Sequence, residues 1–467
     1  MTVKVTSALA VTLAISSGFA FSAVNEQVYH ANEPVKLSLK TDKQLSDKNL
    51  IIVAMADTVD ASTATNASTS NVNPSVEATA EPITSIAGGV GATAGRSAAS
   101  IKYGEVSVTP TIGIHLGYND NVTNSLNNKI SSSILGLTPK IVASIDKSSN
   151  KFSLTYAGDL IYLPDSTADN RNTHNFILAG DHVVTTRNRF NWALSYINGA
   201  EARGISDSSR IYNGLTLVPD EFRTYDAKAA YLFGAPGAKV NLELKSNYTD
   251  KEYTNNRAIT TTRDYSLFNY GGEVQYRIAP KTQIVLDVNQ SQIDYKSAAS
   301  TQSSTETKYL VGTRWKALAK TEGYFKIGRG TKDFDSAGLA QGSTTVYESG
   351  VKWAPLTYSV FDVSFARNYV DGSSDLNRAG ISRIINASWN HQWKSYLKTT
   401  ASAMYGNASY GDTGRIDKTD GYKLSAVYDA KRWLGLGVDY SYVNRDSNDI
   451  NFSYTSNLVY FSALLSM

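Results

Sequence analysis

The chain has 467 residues, of which 42% are apolar, 10% aromatic and only 19% charged, with 29 Tyr and no Cys. The lack of cysteine excludes disulfides, thiolate metal sites and cysteine nucleophiles. A net charge of +3 argues against a dedicated nucleic-acid binder, which would carry a clustered basic surface. Outside the N-terminus the longest apolar run is 50–56, far short of the roughly 18 residues that a membrane-spanning helix needs. If the protein meets a membrane, it does so without helices.

The N-terminal residues divide into two segments. Residues 1–23 are typical of a secretory signal peptide, because Lys4 precedes a short apolar run and small residues surround Ala20. Residues 24–102 form the second segment, in which no Phe, Trp or Tyr occurs between Ala31 and Lys102. Such a composition cannot bury enough apolar surface to offset the entropy lost on ordering. We therefore predict a flexible, low-complexity periplasmic linker over 24–102.

From residue 103 onward the apolar pattern has a period of two. Between Tyr225 and Phe233, for example, aromatic or small apolar residues alternate with Asp226 and Lys228. This alternation is typical of strands that have one face in an apolar medium. Eight short turn signals, such as Ala-Pro-Gly-Ala at 235–238, alternate with nine longer polar loops. The count predicts 18 strands of about 10 to 13 residues.

Short turns at one end and long loops at the other are typical of transmembrane β-barrels. The sequence therefore predicts an all-β fold, an antiparallel up-and-down β-barrel over 103–467 in the outer membrane of a Gram-negative bacterium. Its first and last strands are expected near Val106–Tyr118 and Ser453–Met467, with both termini on the periplasmic side. All six tryptophans lie within about five residues of a predicted short turn, where their rings favour a bilayer interface. These expected belt residues are Trp192, Trp315, Trp353, Trp389, Trp393 and Trp433.

The face opposite the Tyr, Phe, Leu and Val rows is predicted to line the interior. Barrels of this strand number can leave an aqueous channel, so the polar face predicts a water-filled conduit without strong preference for anions or cations. The more ordinary interpretation of any one such residue is a cross-strand ion pair that stiffens the wall and partly closes it. The candidate lumen-lining residues are Lys228, Glu243, Lys245, Glu273, Arg277, Asp287, Arg314, Lys326, Glu348, Lys352, Asp362, Lys398 and Lys423.

Catalytic signals are lacking in the sequence. None of the five His is spaced from a Glu or a second His as metal ligands are, and neither HExxH nor GxSxG occurs. We expect no enzymatic activity, no metal and no cofactor.

The opening of the strand series carries a family resemblance. Thr109-Pro110-Thr111-Ile112-Gly113, followed by Gly-Tyr-Asn-Asp-Asn-Val at 117–122, resembles the putative beta-barrel porin 2 family over about 103–467. The resemblance implies an outer-membrane location and a link to exopolysaccharide or capsule export and to biofilm matrix formation. It defines no functional residues. The chain departs from the usual pattern of such barrels by ending in Met467 rather than in an aromatic residue.

Two functions stay open on this basis. The first is a channel or accessory protein for exopolysaccharide or capsule export, with the secreted polysaccharide and its periplasmic export components as partners. The second is a general or solute-selective diffusion porin, in which 201–223 is long enough to fold inward as a constriction. An outer-membrane enzyme or adhesin has no positive support. Outer-membrane lipid, lipopolysaccharide and the barrel assembly machinery are expected partners in either case, and nucleic acid is not.

Overall fold

The computed structural model describes residues 100–206, 218–318, 320–336, 339, 341–372 and 379–466. The predicted signal peptide and nearly all of the predicted linker lie outside the described residues. The described part is dominated by β-strands, which are β1 (Ile101–Tyr103), β2 (Val106–Asn119), β3 (Ser132–Lys147), β4 (Asn150–Tyr162), β5 (Arg171–Val183), β6 (Asn188–Glu201), β7 (Asp220–Phe233), β8 (Val240–Tyr253), β9 (Tyr265–Ala279), β10 (Thr282–Tyr295), β11 (Ser304–Leu318), β12 (Thr321–Phe334), β13 (Gly342–Leu356), β14 (Ser359–Asp371), β15 (Ala379–Lys394), β16 (Leu397–Tyr410), β17 (Ile416–Lys431), β18 (Leu434–Ser447) and β19 (Tyr454–Ser466).

Helical structure is confined to the loops of the described part. It consists of the one-turn helix α1 (Arg257–Thr260) and of 3₁₀ turns at Thr167–Asp169, Thr261–Arg263 and Ile450–Phe452. No helix in the described ranges has the length and apolarity needed to cross a membrane.

Strands β2 to β19 form one closed antiparallel barrel of 18 strands, in which each strand pairs with its neighbours in sequence. The ring closes where β19 pairs with β2, with Phe461 opposite Leu116. Closure pairs the first and last strands of the ring with each other, so neither is left as an open sheet edge in a hydrocarbon environment. The short strand β1 pairs with the start of β2 outside the ring. The predicted 18-stranded antiparallel barrel is confirmed, and the predicted first strand lies within β2.

The wall alternates between an exposed apolar face and a buried polar face. In β8, Leu244 and Tyr248 are 47% and 44% exposed, whereas Lys245 and Asn247 between them are 6% and 4% exposed. Successive side chains of a strand point to opposite faces, so the apolar rows lie outside the barrel and the polar rows inside. This is the reverse of a water-soluble protein and is the arrangement that a bilayer stabilises.

The connections segregate to the two ends of the barrel. Eight turns lie at one end and nine longer loops at the other, here called the short-turn end and the long-loop end. In the turn between β7 and β8, the longest at the short-turn end, Gly234 and Gly237 have φ of +123° and +80°, values that glycine adopts without steric cost.

The strands of the barrel have 13 to 16 residues rather than the predicted 10 to 13. They are longer because pairing continues past the apolar band into polar residues such as Asp250 of β8.

Apolar side chains also pack inside the barrel, mostly toward the long-loop end of the described structure, although Val285 near the short-turn end of β10 is buried as well. Five small buried clusters lie toward the long-loop end on the inner wall. The largest joins Val122, from the loop between β2 and β3, to Ile134, Ile161, Leu458 and Tyr460. That loop therefore folds inward over the mouth of the barrel.

Candidate functional site

Buried charged side chains form a belt on the inner wall of β8 to β14, with Lys326 of β12 at its centre. The Lys326 ammonium lies 2.6 Å from Asp287 of β10, 3.4 Å from Glu348 of β13 and 3.7 Å from Glu273 of β9. The Lys326 side chain is only 5% exposed. A buried ammonium is costly unless carboxylates compensate it, and here three of them surround it.

The strand register explains how Lys326 reaches a carboxylate two strands away. Gly312 of β11 lies directly opposite Lys326 and on the same inner face. Because Gly312 has no side chain, the lysine stem can cross β11 to Asp287. A Cβ at Gly312 would lie 2.9 Å from Cγ of Lys326 and 2.0 Å from the backbone oxygen of Phe325. Gly312 is thus a positioning residue that the alternation of the sequence does not reveal.

The belt extends to either side of Lys326 through further ion pairs. Arg314 of β11 lies 3.2 Å from Glu273, which also accepts a hydrogen bond from Gln275 at 2.7 Å. In β8, Lys245 lies 3.1 Å from Glu243. At the opposite edge, Lys352 of β13 is paired in register with Asp362 of β14, and both are buried. The belt therefore carries both signs of charge in alternation.

Four of the candidate lumen-lining residues lie outside this belt. Arg277 is at the short-turn end, where its guanidinium donates to the carbonyl oxygens of Ala238 and Pro280. Lys228 is half-buried on β7, and Lys398 and Lys423 are half-buried on the wall formed by β16 and β17. Lys423 lies 3.4 Å from Asp439 of β18.

A second buried ionic cluster lies at the long-loop end and connects loops to the wall. Arg263 places Nη1 2.8 Å from Asp220 and Nη2 2.6 Å from Glu201, and its guanidinium lies 4.2 Å from the ring centre of Tyr253. Lys251 also binds Glu201. The predicted constriction segment 201–223 is thus fixed at both ends by buried pairs, while its middle, 207–217, lies outside the described residues.

Loop arginines add further anchors at this end. Arg203 makes a two-pronged contact with Asp169, with Nε 2.6 Å from Oδ1 and Nη2 2.5 Å from Oδ2. This hydrogen bonding raises the pKa of the Arg203 guanidinium above its ordinary value. Hydrogen bonding to Asp264 raises the pKa of Arg257 in the same way. The loops are therefore tied to one another by charge-assisted contacts around the mouth.

The six tryptophans all lie near the short-turn end. Part of this group stacks on the outer face of β13 to β15, where the Phe361 ring lies 5.2 Å from Trp353 and 6.0 Å from Trp389. Trp393 and Trp433 are more than half exposed. Trp192 donates from Nε1 to Nε2 of His182 at 3.0 Å, and Trp315 is half-buried in β11.

The four histidines that the structure describes, His115, His174, His182 and His391, lie on strands of the barrel wall. His115 is buried in β2 with Nε2 2.9 Å from the hydroxyl of Thr138, and His174 contacts the hydroxyl of Tyr156. In the part of the chain that the structure describes, no three His, Asp or Glu residues converge as a metal site would require.

The chain is similar in sequence to one protein family and in structure to several solved outer-membrane proteins. Residues 96–466 match the family model described as Putative beta-barrel porin 2. A search of curated protein sequences gave no match. Among solved structures, the outer membrane protein OpdK from Pseudomonas aeruginosa is similar at 13% identity and a TM-score of 0.44, covering 77% of this chain and 99% of OpdK.

Two further similar structures are OccAB3 and FrpB. OccAB3 from Acinetobacter baumannii has 8% identity and a TM-score of 0.43, covering 78% of this chain and 100% of OccAB3. The FrpB iron transporter from Neisseria meningitidis, in its F3-3 variant, has 9% identity and a TM-score of 0.42, covering 73% of this chain. The chain spans only 62% of the FrpB length. Because the family model covers most of the residues, the chain belongs to the putative beta-barrel porin 2 family of outer-membrane β-barrels.

Proposed function

We propose that this porin-family barrel is a solute-selective channel for small polar solutes. The observation that carries the proposal is the ion-paired belt on the inner wall of a closed 18-stranded barrel. A barrel of this strand number encloses enough room for an aqueous passage. Charged side chains on its wall supply the donors and acceptors with which a channel discriminates among solutes.

The alternating signs of the belt favour uncharged or zwitterionic solutes over simple ions. Around Lys326 carboxylates are in excess, but over the whole belt the two signs nearly balance. Four cations face five carboxylates, which are Lys245, Arg314, Lys326 and Lys352 against Glu243, Glu273, Asp287, Glu348 and Asp362. The mouth contributes a second filter, because loop residues such as Arg263 and Val122 pack inward there. Both features support selective passage rather than the unrestricted passage of a general porin.

Planar-bilayer recording and liposome swelling with the purified full chain test this proposal. We expect discrete conductance steps and swelling rates that depend on solute size and polarity. Lys326→Met removes the central cation, so the ratio of cation to anion permeability should rise. Single-channel recording reports only barrels that have folded and inserted, so a loss of stability does not obscure that shift.

Lys418→Met is the matched control, because Lys418 lies on the exposed outer face of β17. It removes the same charge without touching the interior, so its permeability ratio should equal that of the native chain. Folded, inserted barrels that neither conduct nor take up solutes would refute the channel proposal. An equal shift in the two variants would refute the role of the belt.

Exopolysaccharide or capsule export, with a role in biofilm matrix formation, is a second candidate. Its first support is the resemblance of the opening strand to the putative beta-barrel porin 2 family, which implies a link to polysaccharide export. Its second support is a set of buried tyrosines at the mouth, Tyr253, Tyr410 and Tyr460. Aromatic rings offer apolar faces on which sugar rings can stack. A deletion strain separates the candidates: lost polymer with normal solute uptake supports export, and normal polymer with impaired uptake supports the selective channel.

A further inference from the structure

Three arginines occupy the outer face of the wall between β12 and β15, near the long-loop end. They are Arg329 of β12, Arg367 of β14 and Arg383 of β15. Arg367 and Arg383 are paired directly in register across β14 and β15. Directly opposed residues have Cβ atoms about 5 Å apart, and like charges in that position destabilise a sheet. The pair therefore favours an anion that contacts both guanidinium groups.

The polar contacts of these arginines within the protein are with uncharged groups. Arg329 donates from Nη2 to the hydroxyl of Ser343 at 3.0 Å, and Arg367 donates to the carbonyl oxygen of Thr345. Arg329 and Arg383 are exposed. Within the described ranges, none of the three forms an ion pair with a carboxylate.

On a neighbouring part of the outer face, the cations are paired with carboxylates of the protein. Arg223 of β7 lies 2.8 Å from Glu252 of β8, and Lys296, directly after β10, lies 2.8 Å from both Asp250 and Glu252. Cations on that side are compensated within the protein. The uncompensated arginines are therefore a local feature of β12 to β15 and not a general property of the rim.

Apolar side chains lie directly below the arginines, two residues nearer the short-turn end on the same strands. Ile327, Phe365 and Ile385 are 39%, 37% and 53% exposed. The Phe365 ring also packs 5.7 Å from that of Tyr347. The cations therefore lie nearer the long-loop end, and the apolar strip lies nearer the middle of the barrel. This is the order in which a membrane lipid presents its head group and its acyl chains.

We propose that this surface binds a phosphorylated lipid of the outer leaflet. One phosphate group lies between Arg367 and Arg383, Arg329 contacts a second, and the acyl chains cover Phe365 and Ile385. The planar guanidinium group matches phosphate oxygens with two hydrogen bonds. The long loops of such barrels face the cell exterior, which places the arginines at the outer leaflet. The proposal is independent of the solute because the surface lies outside the barrel.

Binding of lipid A to the purified full chain in neutral detergent tests the proposal. The probes are lipid A with both phosphates and lipid A with its phosphates removed, and native mass spectrometry or thermophoresis gives the affinity. Each charge-assisted hydrogen bond contributes about tenfold in affinity. We expect R367Q/R383Q to bind phosphorylated lipid A at least about tenfold more weakly than the native chain. The native chain should bind the dephosphorylated lipid as weakly as that variant.

R223Q is the matched control, since it removes an outer-face arginine that already pairs with Glu252. It should retain native affinity, and heat-dependent gel mobility should show that every variant is folded. R383Q alone, at an exposed position, should give an intermediate loss. Unchanged affinity in R367Q/R383Q, or an equal loss in R223Q, would overturn the proposal. Complete displacement of the lipid by inorganic phosphate would overturn it as well, because the site would then recognise free phosphate.

Discussion

The two faces of one stretch of wall, β12 to β15, compensate their cations in different ways. Inside, Lys326 has three carboxylates within 3.7 Å. Outside, Arg367 faces Arg383 and neither pairs with a carboxylate of the described chain. A charge that is largely buried in the channel wall must be compensated mainly by neighbouring protein groups, because few water molecules reach it. A charge at an exposed rim can recruit an external anion, so the same residue type supports structure inside and binding outside.

The largest expected effect tests the inner side of this comparison. Lys326→Met leaves Asp287, Glu273 and Glu348 buried without their shared cation. Removing one partner of a buried ionic group costs about 3–5 kcal/mol of unfolding free energy. Urea unfolding of the barrel in lipid vesicles measures the loss. The outer-face variant Lys418→Met should change the free energy by less than about 0.5 kcal/mol, and equal effects in the two variants would remove the distinction between the faces.

A slightly smaller loss is expected in the ionic cluster at the mouth. Arg263→Ala leaves Asp220 without its buried cation, while Lys251 still binds Glu201. We expect a loss of about 3 kcal/mol in unfolding free energy, at the lower end of the range for buried pairs. Unfolding in vesicles checks the value, and limited proteolysis should show faster cleavage within 254–264.

The control at the mouth is Arg257→Ala, whose side chain is 42% exposed beside Asp264. Asp264 is itself buried but still accepts a hydrogen bond from the backbone N–H of Tyr253 at 2.8 Å, so the loss should be smaller, at about 1–2 kcal/mol. If Arg257→Ala costs as much as Arg263→Ala, burial does not distinguish the two pairs.

The barrel itself could be predicted because its signals are local. Period-two alternation follows from strand geometry, and turn residues mark where each strand ends, so strand number and the identity of the lipid-facing rows follow from neighbouring residues. Strand length was underestimated, because pairing continues beyond the apolar band in residues without a hydrophobic signal, such as Asp250.

The grouping of the candidate site residues could not be predicted in the same way. Alternation assigns Arg277 and Lys326 to the same kind of face, yet Arg277 lies at the short-turn rim and Lys326 at the centre of the belt. The rim position of Arg277 follows from the end of β9 two residues later, but the carboxylates that meet at Lys326 depend on register across β9 to β13. The absence of a side chain at Gly312, which lets Lys326 reach Asp287, has no distinct signal in a chain with 33 glycines.

Gly312 provides the third prediction. In Gly312→Ala the added Cβ would lie 2.0 Å from the backbone oxygen of Phe325 and 2.9 Å from the Lys326 stem, so the two strands must separate locally. Overpacking of this kind costs about 1–3 kcal/mol in unfolding free energy. Gly272→Ala is the matched control in β9, because the nearest atom to its new Cβ is a flexible Leu244 methyl at 3.2 Å. A greater loss in Gly272→Ala than in Gly312→Ala would contradict the role assigned to Gly312.

The smallest expected effect concerns the arginine pair on the outer face. The sign of the change in unfolding free energy depends on whether lipid A is present. In neutral detergent, Arg383→Gln removes the repulsion from Arg367 across the strand pair, so the barrel should become more stable by about 0.5 kcal/mol. With phosphorylated lipid A in excess, the native chain gains stability from binding and the variant gains less, because a ligand stabilises a fold in proportion to its affinity. Unfolding of both proteins with and without the lipid should therefore reverse their order of stability. A variant that is less stable in neutral detergent would show that Arg383 already has a stabilising partner within the protein, and the contrast between the two faces of the wall would not hold.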